Sequence, residues 1–198
     1  MLTRPAAASA ADCTACPTGY RCCCPELSSV EHCVLDTLPR PVCENVRAPR
    51  CRLAPGLTCR GYIPSKRAYF HGLRLHLVCN NRPFITEVLC TPGSVAVVQG
   101  LYLLPLDLAQ GSALYVDRGT WQRTTWRWPR ASRKGNSRRY HQPGQFIATL
   151  GSKIIESVGS TLTELFPKRI HATTLQGFVL KVWGFIFAHN FKRLASIL

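Results

Sequence analysis

The sequence predicts a mixed α/β domain behind a disordered, cysteine-rich leading segment, and two patterns carry that expectation. Tyr69–Val78 (YFHGLRLHLV) sets Leu73, Leu75 and Leu77 at alternate positions with Arg74 and His76 between them, which is the period of a strand. Ile154, Val158, Leu162 and Leu165 recur instead at helical spacing. Short strands come first, one helix intervenes, another strand follows and helices finish, the order of a mixed sheet flanked by helices. At 198 residues and 46% apolar composition, the chain has the length of one domain and enough apolar surface to build a core.

Residues 1–31 are rich in Ala, Cys and Pro without sustained periodicity and are expected to be loop or disorder, leaving 32–198 as the folded domain. Cys33–Leu35 reads as a short strand ending at Asp36, with a proline-broken segment over Thr37–Pro41. Val42–Arg67 is basic and irregular. After the strand at Tyr69–Val78, Asn80–Asn81 suggests a turn, Phe84–Cys90 a second strand, and Thr91–Ser94 (TPGS) the end of that hairpin. Val95–Leu104 reads as a helix stopped by Pro105, and Ala113–Val116 as a strand ending at Asp117. Residues 118–139 hold eight Lys and Arg, no acid, and Trp121, Trp126 and Trp128. Ile154–Phe166 is expected to be a helix with Glu156 in its first turn, and a last helix runs from about Leu175 to Leu194. Its apolar part, Phe178–Phe191, falls short of the roughly 20 residues a membrane span needs and contains Lys181, so it reads as a buried core helix.

Charge narrows the partner. Twenty-five Lys and Arg against ten Asp and Glu give +15, which favours a polyanion, because neutralised phosphates release condensed counterions. Ribosomal, chromatin and membrane-surface proteins share that balance. The eleven cysteines are odd in number, and five crowd into Cys13, Cys16, Cys22, Cys23 and Cys24, which argues against a secreted disulfide scaffold. The N-terminal cluster lacks a clean pair of zinc-binding spacings, so reduced thiols without a metal are the simpler reading. Met1–Ala11 carries no apolar export segment. The expectation is a cytoplasmic protein with no membrane partner. No Walker-type phosphate loop and no G-x-S-x-G elbow occurs, so nucleotide hydrolysis and serine-hydrolase chemistry have no support.

Among the ten carboxylates, Asp36 and Asp117 each end a short apolar strand and Glu156 sits on a helix. Neighbouring strand ends and one helix can bring three carboxylates to a single rim, where two divalent cations would clamp an in-line phosphoryl displacement. Oxygen donors of this kind suit Mg²⁺. The same three residues read equally well as two strand caps and a solvated helix position.

Several segments resemble the DDE transposases of bacterial insertion sequences, closest to the group labelled nine-eight-two. Leu35–Cys43 (LDTLPRPVC) is similar to the stretch around that family's first catalytic aspartate, and Arg60–Leu77 (RGYIPSKRAYFHGLRLHL) to its basic, Gly-containing strand entry. Thr91–Ser94 (TPGS), Leu104–Ser112 (LPLDLAQGS) and Leu114–Asp117 (LYVD) continue in order, the last resembling the second-aspartate strand. Arg133–Arg139 (RKGNSRR), Lys153–Ser157 (KIIES), Phe166–Ala172 (FPKRIHA) and Gln176–Lys181 (QGFVLK) complete a likeness spanning Cys33 to Asn190.

The resemblance implies a ribonuclease H-like fold, Mg²⁺ or Mn²⁺ on Asp36, Asp117 and Glu156, and cleavage at transposon ends followed by attack on target DNA. A nucleoid-associated protein acting as a homodimer on DNA is compatible with it. Lys66, Arg67, Arg133, Lys134, Arg138, Arg139 and Lys168 are the expected DNA contacts, since basic side chains position a phosphate backbone. Relatives carry a helical region ahead of the first aspartate and a longer connection from the second aspartate to the third acid. The short Asp117–Glu156 interval therefore implies a truncated or degenerate copy. The other class of reading is a catalytically dead, DNA-binding remnant, and a third is a Cys-rich zinc protein with a basic tail.

Overall fold

The computed structural model describes residues 18–21, 32–104, 106, 113–116, 129–131 and 143–197. Asp117, Arg133, Lys134, Arg138 and Arg139 lie outside them. Among the described residues, strands β1 (Thr18–Arg21), β2 (His32–Cys43), β3 (Arg60–Ile63), β4 (Ala68–Asn80), β5 (Ile85–Pro92), β6 (Ala113–Val116) and β7 (Pro129–Ala131) form one sheet. Its order is β1-β5-β4-β2-β6-β7, with β3 paired to β4 off that path. β2, β4 and β5 run antiparallel in turn, whereas β6 is parallel to β2 and β7 parallel to β6. The mixed α/β expectation holds.

Helices α1 (Val97–Leu103), α2 (Pro143–Leu165) and α3 (Leu175–Ala195) cover both faces of the sheet. Leu73, Leu75 and Leu77 of β4 point with Val34 of β2 into a core closed by Ile155, Val158 and Leu162 of α2 and Phe178, Val182 and Ile186 of α3. The opposite face buries Cys33, Leu35, Val78, Leu114 and Val116 beneath Leu101 and Leu104. Covering on both sides is why His76, on the face away from the leucines, is fully buried rather than solvated.

Several boundaries differ from the sequence reading. β2 continues through Pro39 and Pro41 to Cys43 instead of stopping at Asp36. Two prolines two residues apart lose their donors on one side of the strand, and among the described residues β6 pairs β2 only as far as Leu35, so an open edge tolerates them. Thr18–Arg21, inside the segment expected to be irregular, adds an edge strand to β5 through backbone pairing that needs no hydrophobic alternation. α2 begins at Pro143, so Glu156 stands in mid-helix, not in the first turn. Proline suits the first helical position, where its missing N–H is not needed. α3 buries one face only, and Leu180, Phe187 and Phe191 on its other side are exposed. No helix among the described residues is long and apolar enough to cross a membrane.

One side chain locks α3 to the sheet. β1 pairs β5 from Glu87 to Cys90, and among the described residues no strand pairs Ile85 on that edge. The buried Asn190 amide takes the strand's place: its Oδ1 accepts the Ile85 N–H at 3.0 Å and its Nδ2 donates to the Ile85 carbonyl at 2.9 Å. Asn190→Ala strands two buried backbone groups and should cost about 2–4 kcal/mol. Urea denaturation reads it as a lowered midpoint with an unchanged slope. An unshifted midpoint would show that the bonds contribute nothing.

Burial also fixes a pH dependence. Thr91 Oγ1 donates to the Arg74 carbonyl, so it accepts from His76 Nε2–H at 2.9 Å. Burial, helped by the Arg74 charge, pushes the His76 pKa down from 6.5 to about 4. Between those values the unfolded chain binds a proton that the folded one excludes, so stability is present above pH 6.5 and is lost as pH falls toward 4. The loss should reach about 2 kcal/mol at about pH 5. His189, also lowered by burial, acts in the same direction. Denaturation midpoints should fall between neutral pH and pH of about 5, before most carboxylates titrate; equal midpoints would contradict a neutral buried His76.

Candidate carboxylate site and basic edge

In an open α/β sheet, ligand sites form beyond the carboxyl ends of the parallel strands, where successive connections leave in opposite directions. Here that place is between β2 and β6: from β2 the chain goes to β4 and β5 on one side, then crosses to β6 and β7 on the other. The parallel register pairs His32 with Ala113 and ends at Leu35 with Val116. In sequence, the residue after Leu35 is Asp36 and the residue after Val116 is Asp117.

Asp36 is exposed although Val34 and Leu35 before it are buried. By strand alternation it shares a face with Val34 and Arg40, the face covered by α2. Its charge, after burial, helps push the Cys79 thiol upward, consistent with a carboxylate on that side of β4. The Thr37 N–H donates to Asp36 Oδ1 at 2.6 Å, which fixes one carboxylate oxygen.

Glu156 is exposed and follows Ile155, which packs into the core with Val34 and Tyr115. A clasp at the end of α2 ties the helix to β2. The Arg40 guanidinium lies 4.4 Å above the Phe166 ring and donates from Nη2 to the Pro167 carbonyl at 2.5 Å. From that clasp Glu156 is ten residues back along the helix, about 15 Å. Asp36 is four residues back along β2, about 13 Å. Measured along their own elements, the two acids lie at comparable distances from the clasp. Asp117 lies outside the described residues.

Of the expected DNA contacts, Lys66, Arg67 and Lys168 are among the described residues and lie away from Asp36. Lys66 closes a 3-10 turn over Pro64–Lys66, and Arg67 caps it in the left-handed region with φ 48°. Both are exposed at the β3–β4 tip. β4 runs antiparallel to β2 with Cys43 opposite His71, so this tip lies beyond the carboxyl end of β2, more than about 20 Å of strand from Asp36. Lys168 is exposed and lines a cavity of about 490 Å³ with Cys43, Glu44, Arg47, Tyr69 and Arg169. Arg169 is ion-paired with Glu44, and Arg47 approaches the same carboxylate at 3.9 Å, so part of the positive charge here is offset internally.

Two aromatic residues at this edge carry a signal that the charge pattern alone does not show. Tyr62 and Tyr69 pair across β3 and β4 with ring centres 5.0 Å apart, and the Arg60 guanidinium lies 4.5 Å over Tyr69. Both rings are substantially exposed, the kind of platform on which bases stack beside a tracked backbone. The Gly-containing hairpin strands, with aromatics at paired positions, could have indicated it.

Set against family models, characterised proteins and solved structures, the chain finds no match.

Proposed function

We propose that the chain is a DDE-type transposase catalytic domain with a ribonuclease H-like sheet, acting on DNA with Mg²⁺ or Mn²⁺ held by Asp36, Asp117 and Glu156. The observation that carries this reading is the parallel β2–β6 pairing, whose last register pair is followed in both strands by an aspartate. An antiparallel β2–β4–β5 meander joined to parallel β6 and β7 on its far side suits a ribonuclease H-like architecture. The packing of α2 on β2, with Ile155 beside Glu156 buried in the core that holds Val34, supports the third ligand.

The described residues fit hard cations: Asp36 and Glu156 are exposed oxygen donors. A bound pair of such ions would sharpen an attacking oxygen and steady the leaving 3′-oxygen of a phosphodiester. The protein's own part is positional. Thr37 orients the Asp36 carboxylate, the Arg40–Phe166 clasp ties α2 to β2, and Lys66, Arg67 and Lys168 hold DNA phosphates along the far edge. Nicking of supercoiled plasmid, with Mg²⁺ or Mn²⁺ against a chelator, tests the activity without needing the terminal repeats. Metal-dependent nicks lost in Asp36→Asn support the reading. DNA binding without nicking identifies a dead remnant instead.

A further inference from the structure

A second, chemically different cluster stands at the carboxyl end of β2. We propose that Cys43, Cys51 and His71 bind a zinc ion that pins the basic loop between β2 and β3. One ligand atom from each of the three residues lies within 4.8 Å of the other two. Zinc–sulfur and zinc–nitrogen bonds of about 2.3 and 2.0–2.1 Å give tetrahedral edges of about 3.5–3.8 Å. The cluster therefore needs only a small contraction to close on an ion.

The fold explains why these residues meet, though 28 positions separate the first from the last. Cys43 is opposite His71 in the β2–β4 register, and opposite residues of an antiparallel pair project to one side. A 3-10 helix over Asn45–Arg50 then turns the chain, its C-cap Cys51 donating its N–H to Ala48 at 3.2 Å, and returns Cys51 to the pair. His71 is buried and already oriented. Its Nε2 lies 2.8 Å from the Ala54 carbonyl, which can only accept, so Nε2 carries the proton and Nδ1 carries the lone pair. A backbone carbonyl on the far nitrogen is the usual outer partner of a metal-bound imidazole.

The donor set selects the ion. Two sulfurs and an imidazole with no carboxylate favour zinc over Mg²⁺ or Mn²⁺, so this site would not draw on the cations of the Asp36 rim. Cys51 and His71 also border an open cavity of about 600 Å³, from which water can complete four-coordination. Cys43 and Cys51 enclose Arg47 and Arg50, so an ion at this point fixes the base of a positively charged loop.

The test uses the full chain, purified under reducing conditions, with Zn²⁺ and Co²⁺ as probes. One tightly held zinc per chain is expected at this site, with Co²⁺ giving an intense thiolate-to-metal band and tetrahedral visible bands. Both signals should survive serine replacement of Cys13, Cys16, Cys22, Cys23 and Cys24, and both should disappear in Cys43→Ser/Cys51→Ser. Survival in the double variant, loss with the N-terminal cysteines, absence of any binding, or a Cys43–Cys51 disulfide in the freshly reduced protein would each overturn the proposal. Should the double variant not fold, the single variants Cys43→Ser and Cys51→Ser decide: each should weaken the thiolate-to-cobalt band, and an unchanged band in either would overturn the proposal.

Discussion

Asp36→Asn and Glu156→Gln should each slow metal-dependent plasmid nicking by at least about 10³-fold, the loss of about 4 kcal/mol of barrier lowering. Each swap keeps shape and removes the charge that would hold a divalent ion. Both side chains are exposed, and surface changes of this kind shift stability by about 0.5 kcal/mol or less, so folding should be untouched. An asparagine at 36 can still accept the Thr37 N–H through its Oδ1, preserving the local turn. DNA affinity should hold or rise slightly, since a negative charge is lost. Rates taken at saturating DNA, beside melting curves, separate these effects. A variant that nicks at the parental rate would remove its acid from the mechanism.

DNA affinity should fall by about 10³–10⁵-fold between about 50 and about 200 mM salt if about 6–10 phosphates are contacted. The basis is a net +15 with Arg60, Lys66, Arg67 and Lys168 along one edge. Removing Lys66 or Lys168 should weaken binding uniformly across sequences and lower the logarithmic salt slope by about one. The Arg169–Glu44 pair sets a contrast, because a cation already neutralised releases fewer counterions. Arg169→Ala should therefore flatten the slope less than Lys168→Ala. Fluorescence anisotropy over a salt series measures both, and a flat response would remove the polyanion from the account.

Much of the fold was readable because periodicity is local. Alternation at Leu73, Leu75 and Leu77 marked β4, the spacing of Ile154, Val158 and Leu162 marked α2, and Ala113–Val116 marked β6. Where partners are distant the sequence was silent. Nothing local says that Pro39 and Pro41 sit on an open edge, that the backbone of Thr18–Arg21 extends β5, or that Asn190 completes an edge at Ile85, 105 residues away. The same holds for chemistry. Asp36 was legible as an acid closing an apolar run, whereas Cys43, Cys51 and His71 share no spacing motif and meet only through the β2–β4 register.

The proposed chemistry requires Asp36, Asp117 and Glu156 to collect one hard cation site. Replacing Mg²⁺ by Fe²⁺ and adding peroxide and ascorbate cuts a polypeptide only next to the bound iron, and mass spectrometry maps the cuts. The expected result is breaks close to residues 36, 117 and 156 together, suppressed by excess Mg²⁺, which does not compete at sulfur. Breaks confined to one of the three, or insensitive to Mg²⁺, would contradict it.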